Sequence, residues 1–308
     1  MKEKKAGRQE MEKLMADLAR AIQEQNPKAF AELNKSTNGM VMGKTASKRS
    51  VEDAARQAQE LIYDAWELSK KSERIRLAKK ALSTFPDCAD AYNLLATDAA
   101  KSLEESREYY EKGMMAGRRA LGEKKFKEGK GHFWGILETR PYMRSRAGLM
   151  QCFWDAGAYD EAISHAREML KLNPNDNQGI RYILIAYLTD LERYDELGKF
   201  MNGRGYRNDC AADWLYTRTL LSFVKNGDTE KSRRELASAL EMNRHVPKYL
   251  TGKKAIPRIL PDSVTMGGED EAFYYAATNI SGWKKAAGAL DWLEARTSIK
   301  AISRGGKA

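Results

Sequence analysis

The stretch MRSRAGLMQCFWDAGAYDEAISHAREMLKLNPND, Met143 to Asp176, decides the fold. Apolar residues recur through its first half at helical spacing, Gly157 interrupts them, and a second amphipathic run opens at Tyr159-Asp160-Glu161 and closes at Asn173-Pro174. The pattern predicts two helices joined by a tight turn. Ala162 lets the pair approach closely, and Pro174, which cannot continue a helix, ends it.

The layout returns on both sides. Downstream, NQGIRYILIAYLTDLERYDELGKFM places Tyr194 35 residues after Tyr159, and ADWLYTRTLLSFVKNGDTEKSRRELASALEMN places Gly227 35 residues after the turn expected in the copy before it. Upstream, AQELIYDAWELSKKSERIRLAKKALSTFPD and ADAYNLLATDAAKSLEESREYYEKGMMAGRRAL supply two more pairs. About five helical hairpins between Ser50 and Asn243, in near register, specify a repeat architecture.

The positions Leu149, Gly157, Tyr159, Ala162, Leu170 and Pro174 resemble the tetratricopeptide repeat. The resemblance implies an all-α, tetratricopeptide-like helical-hairpin solenoid whose first helices line a concave groove for protein partners. The Lys and Asn set with which some members clamp chaperone tails is not recognisable here.

The repeats carry flanks and one interruption. Residues 1–49 read as an amphipathic helix, with Met11, Leu14, Met15, Leu18 and Ile22 on one face, followed by a flexible basic arm; the helix is read first as a cap on the repeats and second as a partner-binding element. Repeats fill 50–122 and, as three further hairpins, 143–243. Between them lies 123–142, an insertion rich in aromatics: Phe126, Phe133, Trp134 and Leu137 suit a wedge that covers two hairpins failing to stack, and Gly129, Gly131 and Gly135 permit a tight path. The C-terminal cap, 244–295, reads as extended until Gly267-Gly268, with Trp283, Ala287, Leu290 and Leu293 on one face of a closing helix; 296–308 is a basic tail.

The cap resembles the suppressor-of-tumorigenicity-seven family through Asn243, His245, Val246, Pro247, Lys248, Tyr249, Leu250, Leu260, Pro261, Trp283, Lys284, Gly288, Ala289 and Leu290. The likeness is close over the last fifth of the chain and looser at Pro86 to Ala96. It marks a family and implies little biochemistry.

Composition narrows the function. The 308 residues are 42% hydrophobic, enough for a substantial core, and no run approaches the roughly 18 apolar residues of a membrane span. MKEKKAGRQEMEKL lacks the apolar centre of a signal peptide, so a soluble, cytoplasmic protein is expected. Cys88, Cys152 and Cys210 have no paired spacing and are expected as buried free thiols. The net charge of +10 favours an acidic partner, although much of the surplus sits at the chain ends.

Catalytic patterns fail on spacing. Gly39 and Gly43-Lys44-Thr45 are one residue short of a phosphate-binding loop, and no strand precedes them. His132, His165 and His245 are far apart, and no Gly-x-Ser-x-Gly elbow exists. No enzyme activity, cofactor or metal is expected.

The candidate ligand-binding residues are His132, Arg140, Arg144, Gln151, Trp154, Arg181 and Tyr182, an Arg-and-aromatic set placed for the groove. Guanidinium forks grip carboxylates bidentately, so the expected ligand is a protein or peptide segment of acidic character. The competing reading pairs Arg140 or Arg144 with Glu138 or another Glu inside the fold. Nucleic acid, held by the basic ends and the Arg-rich groove, is the less favoured partner, and no aromatic platform or recognition helix supports it.

Overall fold

The computed structural model describes residues 8–25, 49–203, 205–260 and 264–305. Its elements are helical, and no strand occurs among the described residues. The predicted arm over residues 34–48, the Gly39–Thr45 stretch and Pro261 lie outside them. The chain forms two compact units, Met1–Ile180 and Arg181–Ala308, so the division falls inside the sequence block 143–243.

The first unit contains α1 (Arg8–Gln25), α2 (Arg49–Glu67), α3 (Lys71–Thr84), α4 (Ala89–Asp98), α5 (Leu103–Glu128), α6 (Arg140–Asp155) and α7 (Tyr159–Leu172). Helices α2 and α3, α4 and α5, and α6 and α7 pair as hairpins, and α5 also packs along α6. Small residues allow the close approach. Ala58, Ala65, Ala78, Ala81 and Ala91 are buried with Ile62, Leu94 and Leu95 in the core of α2 to α4. The second unit contains α8 (Ile180–Asp190), α9 (Tyr194–Met201), α10 (Ala212–Asn226), α11 (Glu230–Met242), α12 (Val246–Leu250), α13 (Glu269–Lys285) and α14 (Ala289–Gly305). Its core joins Tyr216 and Leu220 of α10 to Leu236, Tyr249, Tyr275, Trp283 and Leu293.

The 35-residue register is written in the backbone. Gly157, Glu192 and Gly227 occupy the three hairpin turns, and all three have positive φ, 77°, 56° and 66°. The middle turn therefore has a left-handed geometry that glycine adopts freely, with a glutamate in it.

Three expectations change. The first block of repeats, expected to end at Gly122, instead kinks there, with φ 67° and ψ 163°, and its helix resumes to Glu128, so the first six residues of the insertion are helical. Phe126 and Phe133 are buried and meet Tyr142 edge-on, whereas Trp134 is only half-buried. The rest of the insertion closes a helix end: the N–H groups of Gly131 and Phe133 both donate to the Leu172 carbonyl at the end of α7. In the cap, Val246–Leu250 is a short helix, and the closing face is split between α13 and α14 at Gly288, φ 72°, with Ala287 exposed. Of the cysteines, Cys88 and Cys152 are buried and Cys210 is exposed.

The N-terminal helix is inverted relative to a cap. Met11, Leu14, Met15, Leu18 and Ile22 are 36–60% exposed, while Glu12 is 4% exposed. An apolar cap buries the opposite face, so α1 is held by its charges.

Candidate functional site

Arg140 opens α6 and Arg144 stands one turn later, which places both guanidinium groups on the same face. Arg144 Nε donates to Asp90 Oδ1 at 2.7 Å and Nη2 donates to Asp90 Oδ2, a fork on a carboxylate of α4 that is fully buried. Its Nη1 and Nη2 also donate to the two oxygens of Glu12, at 3.0 and 3.1 Å. Arg140 donates to Glu12 Oε2 at 3.2 Å and, through Nε, to the Trp134 carbonyl at 2.9 Å. Two guanidinium groups thus meet two carboxylates in a neutral tetrad.

The surroundings satisfy what the tetrad leaves over. Asp90 accepts from Gln59 and Asn93, and Ser145 donates to Asn93 at 2.7 Å, so every buried polar group here has a partner. The Arg144 guanidinium lies 5.2 Å from the Trp66 ring centroid. Burial works against its charge, but Asp90 and Glu12 outweigh that, and its pKa is raised. The Tyr63 hydroxyl is raised by burial and then by Glu12 and Asp90.

Beside the tetrad runs an open groove of about 480 Å³, lined by Trp66, Arg74, Asn93, Tyr110, Arg144 and Ala147 among others, with Gln9 of α1 at its edge. Arg74 and Asp98 form a forked pair on its wall, with Nε to Oδ2 at 2.6 Å.

Within the first unit, the predicted residues Arg140 and Arg144 come together on Glu12. Arg140 and Arg144 are paired as described, and Arg144 alone of the set lines the groove. Gln151 is exposed, with Nε2 donating to Asp155, and Trp154 packs against Tyr159 at 4.8 Å between centroids. His132 is exposed in the turn after α5. Arg181 and Tyr182 belong to the second unit, where both donate to Asp209, at 2.6 and 3.0 Å. Asp213, on the first turn of α10, is pushed up to about 7, chiefly by burial and then by Glu271. Burial also holds His165, stacked on Phe153, down to about 4.

The sequence reading passed over Glu12, Asp90 and Asn93. Asp90 had a signal: a carboxylate one residue from Ala89 and Ala91 on an otherwise apolar helix face. Glu12 had none, because it stands beside Met11 on what reads as a solvent flank.

Two residues of the cap resemblance, Asn243 and Lys248, join elements of the second unit. Asn243 donates from Nδ2 to the Gly268 carbonyl and to Glu271, and its carbonyl accepts from the Tyr216 hydroxyl at 2.6 Å. Glu271 also accepts from the Ala212 and Gly267 N–H groups. Lys248 and Lys254 both donate to Glu269, whose carboxyl they hold down to about 2. The motif staples the start of α13 to α12 and to the end of α11.

Among the described residues no cluster of His, Cys, Asp or Glu is placed to hold a metal ion, and no helix is long and apolar enough to cross a membrane. Fold and site together define an all-α protein of stacked helical hairpins with a charged groove in its first unit. The chain matches the family model described as ST7 protein over residues 20–196 and 224–301, and it belongs to that family. The match extends well beyond the cap. Relatives include the "Suppressor of tumorigenicity 7 protein-like" proteins of Gallus gallus, 24% identical over 78% of this chain and 47% of that protein, and of Homo sapiens, 26% identical over 79% and 45%. The "Protein ST7 homolog" of Drosophila pseudoobscura pseudoobscura is 27% identical over 78% and 48%. The chain spans just under half the length of the curated relatives it matches.

Proposed function

We propose that this protein is a non-catalytic, cytoplasmic scaffold of tetratricopeptide type, which holds a peptide or protein segment in the groove of its first unit. The observation that carries the reading is the groove itself, walled by five successive helices from α2 to α6. Trp66 and Tyr110 offer apolar and aromatic contact there, while the Arg74–Asp98 pair offers polar contact to an extended backbone. Ala147 is a small residue on its wall. The test is a peptide library screened against the full chain, with Ala147→Arg as the blocking variant. Loss of captured peptides by at least tenfold at an unchanged melting temperature supports the reading; equal capture sinks it.

A second reading, association with nucleic acid, is favoured by one observation. Lys124, Lys125, Lys127 and Lys130 are exposed together around the end of α5, near Arg118. Retention on RNA that falls steeply with salt and disappears when these lysines are replaced by Gln supports it.

A further inference from the structure

Helix α1 is docked in a way that the hydrophobic effect does not explain. Its apolar stripe faces solvent, and ion pairs join it to the first unit. Glu12 enters the Arg140 and Arg144 fork. Lys13 pairs with Asp64 at 3.4 Å and Glu67 at 2.8 Å, and Arg20 pairs with Glu60 at 3.3 Å. Glu60, Asp64 and Glu67 are spaced four and three residues apart, so they form an acidic line along α2 beside the basic fork of α6. The surface that receives α1 is therefore a two-charge template: a half-buried cationic fork for one carboxylate, and an acidic rail for cations one and eight positions further along a helix.

We propose that α1 is a tethered occupant of this template, and that the template is a binding site for a partner helix of the same charge pattern, a carboxylate followed at once by Lys and eight residues later by Arg. This deepens the scaffold reading and rests on it, since Gln9 of α1 lies at the edge of the same groove. With α1 in place, Glu12 neutralises the fork. With α1 displaced, Arg140 and Arg144 face Asp90 alone and carry one uncompensated positive charge, so the vacated fork selects a carboxylate. Salt weakens the exposed pairs of Lys13 and Arg20 and leaves the Glu12 pairs in the fork largely unscreened. A competitor in trans faces the effective concentration of a covalently attached helix, of order mM, so α1 acts as a built-in threshold.

The experiment uses the full chain and a fluorescein-labelled peptide of residues 8–25 as the probe, with fluorescence anisotropy as the readout. Wild type should bind the peptide weakly. Glu12→Arg, which expels α1 from the fork, should bind it at least tenfold more tightly. Lys13→Glu, which removes the pairs on α2 and leaves the fork untouched, should shift affinity in the same direction and covers the case in which Glu12→Arg does not fold. A peptide carrying the Glu12→Gln substitution should lose the gain. Equal binding by wild type and both variants, or a gain retained by the Glu12→Gln peptide, overturns the proposal. Peptide capture that persists while the Ala147→Arg screen finds no groove ligand refutes the groove alone. Groove ligands without peptide capture refute the tethered occupant alone.

Discussion

Gly148 on α6 lies against the ring of Tyr110 on α5 so closely that a Cβ at this position meets the ring carbons. This single missing methyl sets the distance between the second and third hairpins of the first unit. Gly113 and Gly117 on α5 repeat the arrangement against Ser145 and Tyr142.

Gly148→Ala should therefore destabilise the first unit by about 1 to 3 kcal/mol, the usual cost of overpacking, although alanine is the better helix former. Urea unfolding of the two proteins checks this. A variant as stable as wild type shows that Tyr110 swings aside freely.

Arg144→Ala leaves Asp90 buried without its forked partner and Glu12 with Arg140 alone. Removing one member of a buried pair costs about 3 to 5 kcal/mol, so this variant should melt far below wild type. Arg140→Ala should cost less, because its carboxylate retains Arg144. Comparable melting temperatures for the two variants contradict the tetrad as drawn.

Glu192→Gly should stabilise the second unit by up to about 1 kcal/mol, since it relieves a left-handed backbone in a residue with a Cβ and restores the glycine found at the same place in the turns at 157 and 227. Chemical denaturation measures the change. Loss of stability shows that the glutamate side chain compensates for its own strain.

Asp213 gives a pH dependence of definite sign. Its carboxyl is held up to about 7 from an ordinary value of 3.8. Between these values the unfolded chain releases the proton first, so this group favours unfolding increasingly as pH rises from about 4 through about 7. Asp213→Asn should remove that slope and leave the variant more stable than wild type above that window. Parallel stability curves across it exclude the shift.

The local chemistry of the chain was readable from its sequence because it depends on neighbours three to four residues apart. Periodicity placed α2 through α11, glycine and the 35-residue spacing placed the turns at 157 and 227, and Gly267-Gly268 marked the end of the extended stretch before α13. The same spacing pointed to the turn at 192 although its residue is Glu. What the sequence did not determine was the partner of each charge. Arg140 and Arg144 read as a pair with a carboxylate to find, yet that carboxylate comes from Glu12, more than a hundred residues away, and from Asp90 on another hairpin. Nor does amphipathicity tell which face of α1 is inside. The apolar stripe predicts inward packing wherever an apolar surface is there to receive it, but the surface α1 meets is an acidic line on α2 and a cationic fork on α6, and that surface exists only once the hairpins have stacked. Long-range ion pairs have no period in sequence, so tertiary structure alone decided that the helix turns its charges inward.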